Sequence, residues 1–257
     1  VAHASLPPGR FANPIPVTAG VGLKPEHYSA VLDGAGRGLW FEVHPENYMG
    51  GGGPPHRYLE AVRKDHAISM HSVGLSLGSA DGVRDIHLRR LEDLADRYQP
   101  ELISDHLSWS GIGGRFIHDL LPAPLTEESW QVFGRNIERV QETLGRTILI
   151  ENSSIYLRPA CEALAEPAFI AALCQRTGCG WLLDINNVYV SATNQGFDPA
   201  AYLAAVDPAL EGEIHLAGHT RERHVAGDIL IDDHGSKVPA AVWALYEAFV
   251  AANTNSL

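Results

Sequence analysis

Five apolar runs in this chain end in a side chain that can bind a metal ion or carry a proton. Ala67-Ile68-Ser69-Met70 runs into His71, Leu102-Ile103-Ser104-Asp105 into His106, and Ile148-Leu149-Ile150 into Glu151. Trp181-Leu182-Leu183 runs into Asp184, and Glu213-Ile214 into His215. Imidazole and carboxylate together suit hard to borderline metals. A lone histidine in such a place is more often satisfied by ordinary hydrogen bonds. Five strand ends carrying His, Glu or Asp together point instead to a metal centre. Asp232-x-His234 adds a pair that can chelate one ion, weak as a motif alone but placed in the loop after the last strand. Asn186 and Asn187 follow Asp184 and read equally well as a turn or as donors of an amide carbonyl. His44 and His219 are read as outer or substrate contacts. Asp105 is read as an outer group, because strand alternation aims it away from His106. His3, His27, His56, His66, His87, His118 and His224 carry no such expectation.

The elements that must hold these residues are strands alternating with helices. Strands are expected at Ala19–Leu23, Leu39–His44, Ala67–His71, Leu102–His106, Thr147–Glu151, Gly180–Asp184 and Glu213–Ala217. Trp40, Glu42 and His44 are expected on one face of the second strand. Between strands, Leu88, Leu91, Leu94 and Ala95 recur at helical spacing, as do Trp130, Phe133, Ile137, Val140 and Leu144 after a helix start at Thr126. Asp198 is an expected N-cap. Parallel strands joined by helices close into a TIM-type (β/α)8 barrel, whose strand C-termini share one mouth. Residues 1–257 thus read as one (β/α)-barrel domain with an irregular lead-in over 1–18. Only seven strands can be found. An unpaired parallel edge is a liability, so the eighth strand is expected to be missing through a C-terminal truncation. The glycine run Gly50–Gly53 is an expected mobile lid over the mouth.

With 257 residues and 45% hydrophobic content, the chain can bury a full core. A net charge of −12 and the absence of a basic run argue against nucleic acid or an anionic membrane as partner. No apolar run approaches the ~20 residues of a membrane span. Cys161, Cys174 and Cys179 form no CxxC pair and read as reduced thiols of a cytoplasmic protein. None falls at a strand mouth, which disfavours a cysteine nucleophile or a thiolate zinc site. The glycine run lacks a following Lys-Ser/Thr, so it is no phosphate loop.

Longer motifs carry a resemblance. His44-Pro45-Glu46-Asn47-Tyr48-Met49, Met70-His71-Ser72-Val73-Gly74-Leu75-Ser76-Leu77-Gly78, Ser104-Asp105-His106-Leu107-Ser108-Trp109, Glu151-Asn152, Leu183-Asp184-Ile185-Asn186-Asn187-Val188-Tyr189-Val190, His215-Leu216-Ala217-Gly218-His219 and Ile231-Asp232-Asp233-His234 resemble the multinuclear non-heme iron-dependent oxidative enzymes. The resemblance runs from about Ala19 to Val250. It implies a TIM barrel holding two or three irons in mixed Fe(II)/Fe(III) states, with O2 as co-substrate. It also implies action on cysteines of a ribosomally made precursor peptide, giving oxazolone–thioamide, thiooxazole or related groups, alongside a partner protein that captures the leader peptide. By motif, His71 and His106 would hold one iron, bridged by Glu151 to a second. Asp184 and His215 would serve the second iron, and Asn187, Asp232 and His234 a third. The chain stops before the glutamate that ends the family's eighth strand.

Two other readings stand beside it. One is a divalent-metal TIM barrel of the sugar-isomerase or endonuclease type, against whose nuclease form the acidic charge argues. The other is a non-enzymatic metal-binding protein.

Overall fold

The computed structural model describes residues 18–253 apart from Glu162 and Ala226. Residues 1–17, with His3 and most of the expected lead-in, and residues 254–257 lie outside the described residues. Seven strands form one parallel sheet: β1 (Gly20–Gly22), β2 (Trp40–Val43), β3 (Ile68–His71), β4 (Leu102–His106), β7 (Leu149–Glu151), β8 (Gly180–Asp184) and β9 (Glu211–His215), in that spatial order. Two antiparallel hairpins complete the strand set. β5 (Ser108–Ile112) pairs with β6 (Arg115–Pro122), and β10 (His219–His224) with β11 (Gly227–Asp232). The longer helices are α2 (Pro54–Arg63), α3 (Asp85–Tyr98), α4 (Glu127–Leu144), α5 (Glu166–Thr177), α6 (Ile185–Gln195) and α8 (Ala240–Asn253). Two short ones, α1 (Tyr28–Leu32) and α7 (Pro199–Ala204), follow β1 and α6.

The sheet is curled. β2 and β9 stand five places apart in the strand order, which would be about 24 Å in a flat sheet at ~4.8 Å per strand. Yet Glu42 Oε2 lies 2.8 Å from His215 Nε2, and Ser69 Oγ on β3 donates to Glu213 Oε2 at 3.1 Å. Only a sheet rolled toward closure brings these ends together. The expected TIM-type architecture is therefore present, with seven parallel strands. Among the described residues, β1 and β9 each have a single strand neighbour.

Period-two alternation sorts each strand into two faces. Ile68 and Met70, Ile103, Ile150, and Trp181 and Leu183 belong to the large core shared with Leu91, Phe133, Ile137, Phe169 and Leu173 of α3, α4 and α5. Each fully buried large side chain there contributes roughly 1.5–3 kcal/mol. The opposite face carries Leu102, Leu149 and Leu182 as a small separate cluster. One or two steps along the same face come Ser104 and His106, Glu151, and Asp184. An apolar plug thus lies beneath a polar rim. Helix ends follow local chemistry: Thr126 Oγ1 accepts from Ser129 N–H in a capping box, and Asp198 accepts from Ala200 N–H. Gly145, Gly178 and Gly196 end α4, α5 and α6 in left-handed conformations.

The expected lid residues Gly50–Gly53 are an exposed approach to α2, tied down where His56 Nε2 donates to the Gly50 carbonyl at 2.9 Å. No helix among the described residues is long and apolar enough to cross a membrane.

Candidate metal centre

His71 and His106 end adjacent strands, and Glu151 ends the next. Both imidazoles turn Nε2 toward one carboxylate oxygen, each 3.1 Å from Glu151 Oε2. Neither contact has hydrogen-bond direction, and Glu151 Oε2 is buried without a hydrogen-bond partner among the described residues. Glu151 Oε2 thus stands between two imidazole nitrogens. Donor atoms ~2.0–2.2 Å from one ion sit roughly 3–4 Å apart. Each imidazole nitrogen has that spacing from Glu151 Oε2, while the ligand atoms that lie within 4.8 Å of one another are those of His71, Glu151 and His215, without His106. Ser104 Oγ, 2.8 Å from His71 Nδ1, holds that ring.

The other carboxylate oxygen faces elsewhere. Glu151 Oε1 accepts from Asn187 Nδ2 at 3.1 Å and lies 3.8 Å from His215 Nδ1. Asp184 Oδ2 is also 3.8 Å from His215 Nδ1 and is buried without a partner. Asn187 Oδ1 is a third buried acceptor left unpaired. Unpaired buried acceptors are costly, and a cation among them removes the cost. The donor set, imidazole and carboxylate with an amide carbonyl and no thiolate, fits a first-row divalent metal.

The rest of the expected set divides. Asp232 Oδ1 accepts from Asn186 Nδ2 at 2.8 Å, and His234 Nε2 lies 3.3 Å from the same oxygen. His234 is exposed and has φ 49°, a left-handed backbone rare outside glycine. Both lie near enough to Asp184 for their charges to interact with it. His219 Nδ1 donates to Asn186 Oδ1 at 2.8 Å and stacks on Tyr189, so it reaches this region through Asn186. Gly218 permits that path, since a Cβ there would sit 2.2 Å from the Ser236 carbonyl oxygen.

The electrostatics follow burial. Burial works against the charged form of His71, but the Glu151 carboxylate outweighs it and raises the ring to about 9. Burial holds His106 down to about 4 and pushes Asp184 up to about 8. Asp105, which accepts from Leu75 N–H and His106 N–H, is pushed by burial to about 7. Its position as an outer group agrees with the alternation argument.

Two acidic residues join the site that strand-end reading passes over. Glu42 contacts His215, and Glu213 is buried with Oε1 unpaired, 3.9 Å from His215 Nε2. His71, Glu151 and His215 offer one group of close ligand atoms, and Glu42, Glu213 and His215 a second, each within 4.8 Å. A signal for Glu213 exists in the sequence: it precedes His215 by two residues, on the same face. His44 lies just past its strand and makes an outer contact. β2 ends at Val43, and His44 is exposed, its Nδ1 donating to the His71 carbonyl at 2.9 Å. Cys174 and Cys179 are free thiols with Sγ atoms 3.7 Å apart, Cys179 at the start of β8 rather than at its mouth.

Asp184 also caps α6, its Oδ1 accepting from Asn187 N–H at 2.6 Å. The two duties separate by mutation. Asp184→Asn should keep the cap and the unfolding midpoint of the metal-free protein but weaken metal binding. Asp184→Ala should lose metal and also about 1 kcal/mol of stability. Metal analysis and urea unfolding on both variants check this, and equal metal content in Asp184→Asn would remove Asp184 from the ligand set.

A family model described as RiPP precursor modification enzyme MbnB/TglH/ChrH matches residues 18–256. A UPF0276 protein of Caulobacter vibrioides (strain NA1000 / CB15N) is 51% identical over 230 residues, 89% of this chain and 81% of that one. Endonuclease IV from Thermus thermophilus superposes with a TM-score of 0.56 at 18% identity, covering 91% of this chain and 88% of that one. A xylose isomerase-like TIM barrel protein from Mycobacterium smegmatis, in complex with magnesium, gives 0.56 at 10% identity, covering 91% and 86%. At such identities the two structures speak for the fold alone.

Proposed function

Since the chain belongs to the RiPP precursor modification enzyme family MbnB/TglH/ChrH, we propose that it is an iron- and O2-dependent enzyme that oxidises cysteine in a ribosomally made precursor peptide. The observation that carries a metal centre is the trio of buried, unpaired acceptors, Glu151 Oε2, Asp184 Oδ2 and Asn187 Oδ1, beside three imidazoles. In this reading His71, His106 and Glu151 would hold one ion, and Glu151, Asp184 and His215 a second. Asn187, Asp232 and His234 serve a third, held least firmly because His234 is exposed. Bound iron would supply open positions for O2 and for a substrate thiolate, whose pKa it lowers.

The chain's own residues do the rest. Ser104 fixes the His71 ring, Asn187 fixes the Glu151 carboxylate, and the leucine plug beneath closes the floor of the mouth to water. The peptide would be delivered by a leader-binding partner protein, in the cytoplasm, where its cysteine stays reduced.

The test is mass spectrometry of a cysteine-containing precursor incubated with the protein and its leader-binding partner. Iron-loaded protein in air should change the mass of a cysteine-bearing fragment, and anaerobic or zinc-loaded protein should not. Turnover of a sugar by magnesium- or manganese-loaded protein, with the peptide unchanged under all conditions, would favour the isomerase-type reading instead.

A further inference from the structure

His215 presents its ring to the centre the opposite way round from His71 and His106. In those two residues Nε2 faces Glu151. In His215 it is Nδ1 that faces Glu151 Oε1 and Asp184 Oδ2, both at 3.8 Å. Its Nε2 is 2.8 Å from Glu42 Oε2. An ionised carboxylate only accepts hydrogen bonds, so Nε2 carries the hydrogen and Nδ1 is the nitrogen whose lone pair can reach a metal. Glu213 cannot take over this duty where it stands. Its Oε1 is 3.9 Å from Nε2, beyond hydrogen-bond reach, and its Oε2 is occupied by Ser69 Oγ. Glu42 is itself placed by the sheet, paired with Gly22 on one side and Ser69 on the other.

We infer that Glu42 is a positioning residue for the metal centre: by accepting from His215 Nε2–H it fixes the tautomer, so that His215 binds its metal through Nδ1 while His71 and His106 bind through Nε2. Carboxylates behind ligand histidines do this generally, and losing one costs about 10–100-fold in metal affinity. The inference rests on the ligand set proposed above.

Cadmium-113 is the probe, because its coupling to imidazole nitrogen-15 reports which ring atom is bonded. The full chain, labelled with nitrogen-15 at histidine and loaded with cadmium-113, should show coupling at His215 Nδ1 and at His71 and His106 Nε2. Signals are assigned with His71→Ala, His106→Ala and His215→Ala. Glu42→Ala should lose the His215 coupling and bind cadmium there about 10–100-fold more weakly, while His71 and His106 keep theirs. Glu42→Gln, whose amide oxygen still accepts, should retain the Nδ1 coupling, and Glu42→Met, which fills similar space without an acceptor, should lose it, whereas a merely space-filling role predicts retention in both. Coupling at His215 Nε2 in the unaltered protein overturns the inference, as does undiminished Nδ1 coupling in Glu42→Ala. If Glu42→Ala does not fold, the unaltered protein and Glu42→Gln decide. Cadmium coupled to His71 and His106 but never to His215 Nδ1 defeats the inference alone. No coupling at any of the three defeats the ligand set as well.

Discussion

Replacing Glu151 with glutamine is expected to cost more metal and more activity than any other single change in the site. Its two oxygens face two different groups of donors, His71 and His106 on one side and His215 on the other. Losing an outer-sphere partner already costs about 10–100-fold in affinity, and the shared carboxylate should cost more than that at both positions. Peptide modification should fall below detection. Stability of the metal-free protein should change in a pH-dependent way. His71 is raised from 6.5 to about 9 against the effect of burial, chiefly by the Glu151 charge. A raised histidine contributes stability that is fully present below its unfolded value and is lost as pH rises through its folded value. That rise corresponds to roughly 3 kcal/mol. Glu151→Gln should therefore be less stable than the parent at pH 6, by at most about 3 kcal/mol because Glu42 also contributes to the rise and burial of the Glu151 charge opposes it, the gap narrowing by pH 9. Iron analysis and urea unfolding at the two pH values are the measurements. A variant with full iron content and turnover would contradict the bridging role.

Metal affinity itself should climb with pH, and more steeply at the second ion than at the first. In the metal-free protein His71 sits at about 9 and Asp184 is pushed up to about 8 by burial. His215 is held well above 6.5 against burial, chiefly by the Glu42 charge. All three carry a proton near neutrality, and each must lose one to become a ligand. Filling the His71 position releases one proton, and filling the Asp184 and His215 position releases two. Apparent affinity should therefore rise about 10-fold per pH unit at the first and about 100-fold at the second between pH 6 and 8. The steeper slope should halve once Asp184 is ionised. Calorimetric titration with ferrous iron under anaerobic conditions, in two buffers of different ionisation enthalpy, counts the protons directly. A flat profile from pH 6 to 8 would mean that these groups are not ligands.

Much of the barrel is legible because its strands are short, apolar and end in a chemically distinctive residue. The seven expected strands are the seven of the parallel sheet, with ends shifted by a residue or two. What escapes lacks that contrast. β10 reads as a loop because His219–His224 is wholly polar and mostly exposed, and β11 because its apolar stretch, Ile229-Leu230-Ile231, is only three residues long and only Leu230 of it is buried. β5 and β6 also read as loop, although Gly113 and Gly114, with φ of 59° and 72°, supply the paired left-handed residues of a tight hairpin turn. Helix α6 is hidden by Asn186 and Asn187, which suit turns. Its real start signal is the Asp184 cap, a duty that its reading as a ligand conceals.

At the site, alternation identifies which strand residues share a face but not how far the sheet curls. Glu42 and His215 are 173 positions apart, and their contact depends on closure, which no local pattern encodes. At His44 only the strand's end is misplaced. Period two holds only while the strand lasts, and Pro45 ends β2 by opening a 3-10 turn over Pro45–Tyr48.

Iron at the strand ends is the proposal on which the function rests. Diffraction from crystals of the iron-loaded protein, recorded on either side of the iron absorption edge, tests it most directly. Anomalous peaks are predicted between His71, His106 and Glu151 and again between Glu151, Asp184 and His215, with a weaker one beside Asp232 and His234. Iron-containing crystals with no peak at the first two positions would contradict the account.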